Sequence, residues 1–156
     1  MSKKNTVRDF MVGNIILATL KGVSLRKGMI TEIYKDKVKV MDWETKEEEV
    51  IDPGMCYGID ITEDLLRNVL KFENHTVSQT YSAIRTETTQ EWIKVIYDPE
   101  DPSNFYFLII PLKTNANDEW IVEIKNPNRE LKSKVSLRSL HQLQNQVFFQ
   151  THLVLC

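Results

Sequence analysis

Cysteine is scarce in this chain. Of its 156 residues only Cys56 and Cys156 carry a thiol, so no framework of disulfides is expected to hold it together. Glycine is sparse too, at five residues; none cluster, which removes the glycine-rich loops that cradle phosphates. No apolar run approaches the roughly 18–20 residues that a membrane-spanning helix needs. Neither sign of charge is in excess. Lysine and arginine number 20 against 22 acidic residues, and residues 1–60 carry ten of each while residues 61–156 carry ten and twelve. A duplex-binding surface normally shows a basic excess, because phosphate neutralisation supplies most of its affinity. Residues 1–6 bear lysines and lack the apolar stretch of a signal peptide. A reduced, cytoplasmic location is therefore expected.

What is present is ordinary for a folded protein, with 42% apolar and 27% charged residues. The length suits a single domain, residues 1–156, built from two sub-lobes: a bent sheet over residues 10–60 and the remainder over 61–156.

The first third reads as four short strands at residues 14–20, 28–34, 37–43 and 46–51. In the third, Val38 and Val40 alternate with Lys37 and Lys39, the pattern of a sheet with one dry and one wet face. Asp52-Pro53-Gly54 then stops the run, since proline presets φ and glycine tolerates the turn. Short strands joined by tight turns predict a strongly bent antiparallel sheet, with an SH3-like barrel as one form it can take.

Thr62 reads as a helix N-cap, with Glu63 and Asp64 at the positive end of the helix dipole. Leu65, Leu66, Val69 and Leu70 form the apolar stripe of a short helix ending near Phe72. Residues 74–91 are polar and aperiodic, which suits a surface loop or exposed hairpin on one reading and a ligand-binding loop on another. Strands follow at residues 92–97, 105–112 and 120–125. The near-continuous apolar run 105–110 predicts a central strand covered on both faces. A last helix is expected from Ser136 to Phe149, with Leu137, Leu140, Leu143, Val147 and Phe148 facing the core, and residues 153–155 as a short edge strand. The class is α+β: the bent N-terminal sheet, a short helix, and an antiparallel meander closed by a helix.

Catalytic and metal constellations are absent from the pattern. His75, His141 and His152 have no metal-ligand spacing, the cysteines form no Cys-x-x-Cys pair, and there is no nucleophile elbow. No metal, no cofactor and no enzymatic activity are expected. The singular feature is Gln144 inside the apolar arc of the last helix, with His141 one turn earlier and Asn145 beside it. A buried amide needs partners. Gln144 and His141 either pin the helix to strand backbone or face a pocket, where amides suit the donor and acceptor edges of a nucleobase or peptide. Trp43, Tyr57 and Tyr81 lie beside turns or in the polar segment as candidate stacking platforms, and Arg85 as a candidate phosphate or carboxylate contact. Trp92, Trp120, Phe105 and Phe107 read as core.

Val12-Gly13-Asn14, the stretch 58–66 leading to Lys71-Phe72-Glu73, the strand 105–110 and above all His141-Gln142-Leu143-Gln144-Asn145 resemble small uncharacterised proteins of phages and mobile elements of gut bacteria. That resemblance implies an origin, and no assigned activity. Taken with the residues, it gives the expectation of a non-enzymatic accessory protein, with a possible anti-defence role. Such a protein would sequester a small nucleotide-like signalling molecule through Trp43, Tyr57, Tyr81, Arg85, His141, Gln144 and Asn145, as a homo-oligomer in the host cytoplasm. The alternative is a protein–protein module that docks a host or phage protein through an edge strand or exposed aromatics. Nucleic acid is an unfavoured partner and a membrane is not expected.

Overall fold

The computed structural model describes residues 4–22, 24–111, 114 and 117–155, without the side chains of residues 77, 79, 81 and 87. It is an α+β fold of two five-stranded antiparallel sheets and one α-helix. Cys156 and Leu112 lie outside the described residues. The chain divides into two compact units, residues 1–60 with 139–145, and residues 61–138 with 146–156.

The first unit holds β1 (Ile15–Leu20), β2 (Ser24–Ile33), β3 (Val38–Asp42), β4 (Glu48–Ile51) and β5 (Cys56–Tyr57), in the order β4-β3-β2-β1-β5. Alternation works as expected: Val38 and Val40 are buried and Lys39 is not. Phe10, Ile16, Leu20, Ile30, Val38, Val40 and Cys56 form one apolar cluster. A register shift between Ile30 and Glu32 breaks the regular pairing of β2 with β3. Hydrogen bonding closes no barrel, since β4 and β5 end the order on opposite sides. Asp52 caps the turn at Pro53–Met55 by accepting from the Gly54 amide at 2.8 Å, so the turn signal in the sequence is used as a cap. Burial also drives the Cys56 thiol pKa up to about 12, which keeps it protonated and unreactive.

The second unit holds β6 (Glu73–Ser82), β7 (Arg85–Tyr97), β8 (Phe105–Pro111), β9 (Trp120–Lys125) and β10 (Leu131–Leu137), ordered β10-β9-β8-β7-β6. β8 is central, as its apolar run predicts. Residues 74–91 are a hairpin of β6 and β7 rather than an unstructured loop. Thr62 does cap its helical turn, its Oγ1 accepting from the Leu65 amide at 3.1 Å. The turn then widens to a π-type bond from the Leu70 amide to the Leu65 carbonyl. That widening leaves Leu66 and Leu70 buried but Val69 exposed, correcting the expected stripe.

Three further corrections concern the C-terminal region. Residues 131–137 form β10, and α1 spans Leu140–Thr151, so Leu137 is a strand residue. Alternation of Leu131, Ser133, Val135 and Leu137 carries the strand signal, which the helical spacing of residues further on masks. Phe148 is exposed rather than core-facing, and residues 153–155 form no strand, although Leu153 and Leu155 are buried.

Gly28 tests the packing of β2 against β3. A Cβ there would lie 2.6 Å from Val40 Cγ1 and 3.0 Å from the Met41 carbonyl oxygen. Gly28→Ala is expected to lower stability by about 1–3 kcal/mol through overpacking, read as a lower urea midpoint with an unchanged slope.

Candidate functional site

The amides singled out from the sequence build a bracket in the first unit. Gln144 Oε1 accepts from the Ile15 amide at 2.9 Å, and its Nε2 donates to the Gly13 carbonyl at 3.3 Å. Between them Asn14, 2% exposed, accepts from the Met11 amide at 2.8 Å and donates to Asn145 Oδ1 at 2.7 Å. Asn145 donates in turn to the Asp9 carbonyl at 3.4 Å. The backbone from Asp9 to Ile15 is therefore held on one side by Ile30 of β2, which bonds the Gly13 amide and the Asn14 carbonyl, and on the other by Asn14 and the α1 side chains, which meets the demand of buried peptide groups for partners. Sequence reasoning missed Asn14 as the partner. Its signal was a polar residue directly before an apolar strand.

Ser139 and His141 sit at the start of the same helix. Ser139 is the N-cap: its carbonyl accepts from the Leu143 amide at 3.2 Å, and its amide donates to Gln142 Oε1 at 3.2 Å. Ser139 Oγ lies 3.1 Å from His141 Nδ1. The imidazole packs on Phe10, ring centroids 5.1 Å apart, and against Gly58, where an added Cβ would come within 2.9 Å of His141 Cε1. Geometrically this is a serine beside a base. Both side chains are buried, and the cap uses the serine's backbone groups while its hydroxyl bonds the imidazole. Burial holds the His141 pKa below its ordinary 6.5, with Asp9 opposing.

The remaining predicted residues lie apart. Trp43, 38% exposed, follows β3. Lys27 Nζ stands 4.4 Å and Lys46 Nζ 5.1 Å from its ring centroid. Beside it is a cleft of about 210 Å³ lined by Leu25, Arg26, Lys27, Asp42, Trp43 and Glu44. Arg26 is committed there: its guanidinium bonds the buried Asp42 carboxylate and reaches Glu44 at 3.1 Å. The Asp42 pKa is lowered chiefly by that bond and also by the Glu44 and Thr45 amides. Tyr57 is exposed on β5, separated from β3 by two strands in the sheet order. Arg85 opens β7 in the second unit, exposed and paired in register with Ser82. The Tyr81 backbone is in β6, and its side chain lies outside the described residues. Of the seven, only His141, Gln144 and Asn145 are brought together.

A surface not singled out from the sequence is larger. In the second sheet the register sets Ile93 opposite Ile109, Val95 opposite Phe107 and Tyr97 opposite Phe105, so these six share one face. The opposite face, with Trp92, Ile96, Leu108, Ile110, Trp120, Val122 and Ile124, is the buried one. On the outward face Tyr97 is 58% exposed; Ile93, Val95, Phe105 and Phe107 are half-buried. This corrects the expectation that Phe105 and Phe107 are core; β8 is covered on both faces, as expected, at Leu108, Ile109 and Ile110 but not at Phe105 to Phe107. Tyr97, Phe105 and Phe107 form a ring cluster, with centroids 6.1 and 5.6 Å apart. Arg129 lies over Phe107 at 4.9 Å. A groove of about 590 Å³ crosses the face, with Lys71, Glu73 and His75 contributing polar groups and Arg129 its cation.

Among the described residues, no helix is long and apolar enough to cross a membrane, and no three His, Cys, Asp or Glu side chains gather as metal ligands. No family model, no curated protein and no solved structure matches the chain.

Two outcomes follow for the bracket. Gln144→Leu leaves the Ile15 amide and the Gly13 carbonyl unpaired and is expected to lower stability by about 1–3 kcal/mol, measured by denaturant unfolding. His141 predicts an acid-sensitive slope. In the unfolded chain its imidazole takes up a proton near 6.5, whereas in the fold it resists until lower pH. The unfolded state thus binds more protons, and stability falls as pH drops from about 7 to 5.5. Melting temperatures across that window are expected to decline in the wild type and to lose this component in His141→Leu.

Proposed function

We propose that this chain is a non-enzymatic binding protein that docks a protein partner on the outward face of its second sheet. The observation that carries the reading is the row of paired apolar side chains, Ile93, Val95 and Tyr97 on β7 and Phe105 and Phe107 on β8, left partly accessible beside the buried Ile109. Contiguous exposed apolar surface rimmed by polar groups marks interaction sites in soluble proteins. Aromatic residues and arginine are the groups that most often dominate binding energy at such surfaces. Tyr97, Phe105, Phe107 and Arg129 supply them here. Among the groove's charged groups Lys71, Lys94 and Arg129 outnumber Glu73, which favours a partner that sets carboxylates around an apolar contact. Binding without chemistry is supported by the protonated Cys56 thiol and by the burial of the Ser139 and His141 side chains away from solvent. In the setting that the sequence resemblance implies, the partner is a bacterial host or phage protein in the cytoplasm, inhibited by occupancy.

Capture of a nucleotide-like molecule is a second reading, favoured by one observation. Trp43 offers a partly exposed ring between two lysines beside a small cleft, the combination of stacking surface and cation that nucleotide binding uses. The bracket amides are already bonded to backbone, so this reading rests on Trp43 rather than on Gln144.

The test compares wild-type protein with Val95→Lys and Phe107→Ala as baits in a bacterial lysate, with and without added nucleotides. One stoichiometric protein, bound about thirtyfold more weakly by Phe107→Ala and indifferent to nucleotides, is the expected result; the factor corresponds to a hot-spot loss of about 2 kcal/mol. Equal retention by all three baits would remove the outward face from consideration. A nucleotide released in stoichiometric amount on denaturation, and lost in Trp43→Ala, would transfer the function to the Trp43 cleft.

A further inference from the structure

We propose that β6 is a self-pairing edge, through which two copies of the chain join antiparallel into one continuous sheet. This interface is separate from the outward face and does not depend on it. Every open sheet ends in strands with unpaired backbone groups, and proteins blunt such edges with shortness, charge or bulges. Three of the four edges here are blunted. β4 has four residues, two of them Glu48 and Glu49, and β5 has only two residues. β10 carries Lys132 and Lys134 and a register shift between Leu131 and Ser133. β6 is the exception. It runs for ten residues, contains no lysine, arginine or proline, and its register shifts only between Thr80 and Ser82 at the tip.

The hairpin also lacks cover. β7 meets β8 only from Glu91 onward, so residues 76–82 and 85–90 pair with each other alone among the described residues. Every described side chain of that ribbon is exposed. A two-stranded ribbon standing alone in water is marginally stable, and further strands are what stabilise it.

The chemistry of β6 selects a second copy as the added strand. Its acidic and basic residues, Glu73 and His75, both lie at one end. Antiparallel pairing about a two-fold axis at Ser78 sends them to opposite ends of the interface, where Asn74 meets Ser82, Thr76 meets Thr80 and Glu73 lies past the end of the other copy's strand. No carboxylate then faces a carboxylate. The rest of the strand presents Ser and Thr side chains of the kind that already pair within the hairpin, Ser78 with Thr88 and Thr80 with Thr86, each at 3.4 Å. Such a contact is isologous and closes at two copies.

Sedimentation of the full chain at micromolar concentrations is expected to give twice the chain mass. Ser78→Lys with Thr80→Lys sets like charges against each other near the axis and is expected to give single chains with an unchanged far-ultraviolet dichroism spectrum. Hydrogen exchange of the wild type is an independent reading that needs no variant: amides of residues 76–82 are expected to slow as protein concentration rises. Single chains at every concentration, or exchange in this segment that ignores concentration, would overturn the proposal. So would a dimer that survives both lysines and dissociates in Val95→Lys.

Discussion

The structure is governed by a shortage of cover. Among the described residues the elements other than strands are one α-helix, α1, a π-widened turn and two short 3-10 turns. Residues 140–145 of α1 belong with the first unit and residues 146–151 with the second. In the second unit Leu66, Leu70 and Phe72, Val147, and the two tail leucines, Leu153 and Leu155, are buried along with one face of the sheet. On its outward face Ile109 is buried, Ile93, Val95, Phe105 and Phe107 are half-buried and Tyr97 is exposed. A sheet of this size needs only one buried face to be stable, and antiparallel sheets usually leave the other polar. Here that other face carries isoleucine, valine and three aromatic rings. The departure has no structural benefit for the free chain, and a bound partner is the physical reason for it that we favour.

The amide bracket solves a different problem. The segment entering β1 pairs with β2 at Ile30, and Asn14, Gln144 and Asn145 provide partners for peptide groups between Asp9 and Ile15 that this pairing leaves over. Polar groups placed this way are fully used. They act as backbone substitutes, and the specificity they confer is for one path of the chain.

Much of the architecture was legible beforehand, and the limits are instructive. Alternation located β1 to β4, and apolar density located β7, β8 and β9, because burial of one or both faces is written directly into residue type. β10 was lost because Leu137, Leu140 and Leu143 keep helical spacing across the strand-to-helix boundary at Ser139, where the N-cap and not periodicity decides. The hairpin at residues 74–91 had no hydrophobic signal at all, since every described side chain of its solitary ribbon is in water. Gln144 was recognised as needing partners, but sequence alone cannot say whether a buried amide meets backbone or ligand. The outward face was hidden for the opposite reason: a residue such as Phe107 reads as core whether the surface over it belongs to the same chain or to another.

The most direct measurement is hydroxyl-radical labelling of side chains in the free protein and in its complex with the captured partner. The account predicts that Tyr97, Phe105 and Phe107 label readily in the free chain and lose that labelling on binding, while Trp43 and Tyr57 are unchanged. Protection confined to Trp43 or Tyr57, with the three rings of the second sheet labelled equally in both states, would contradict it.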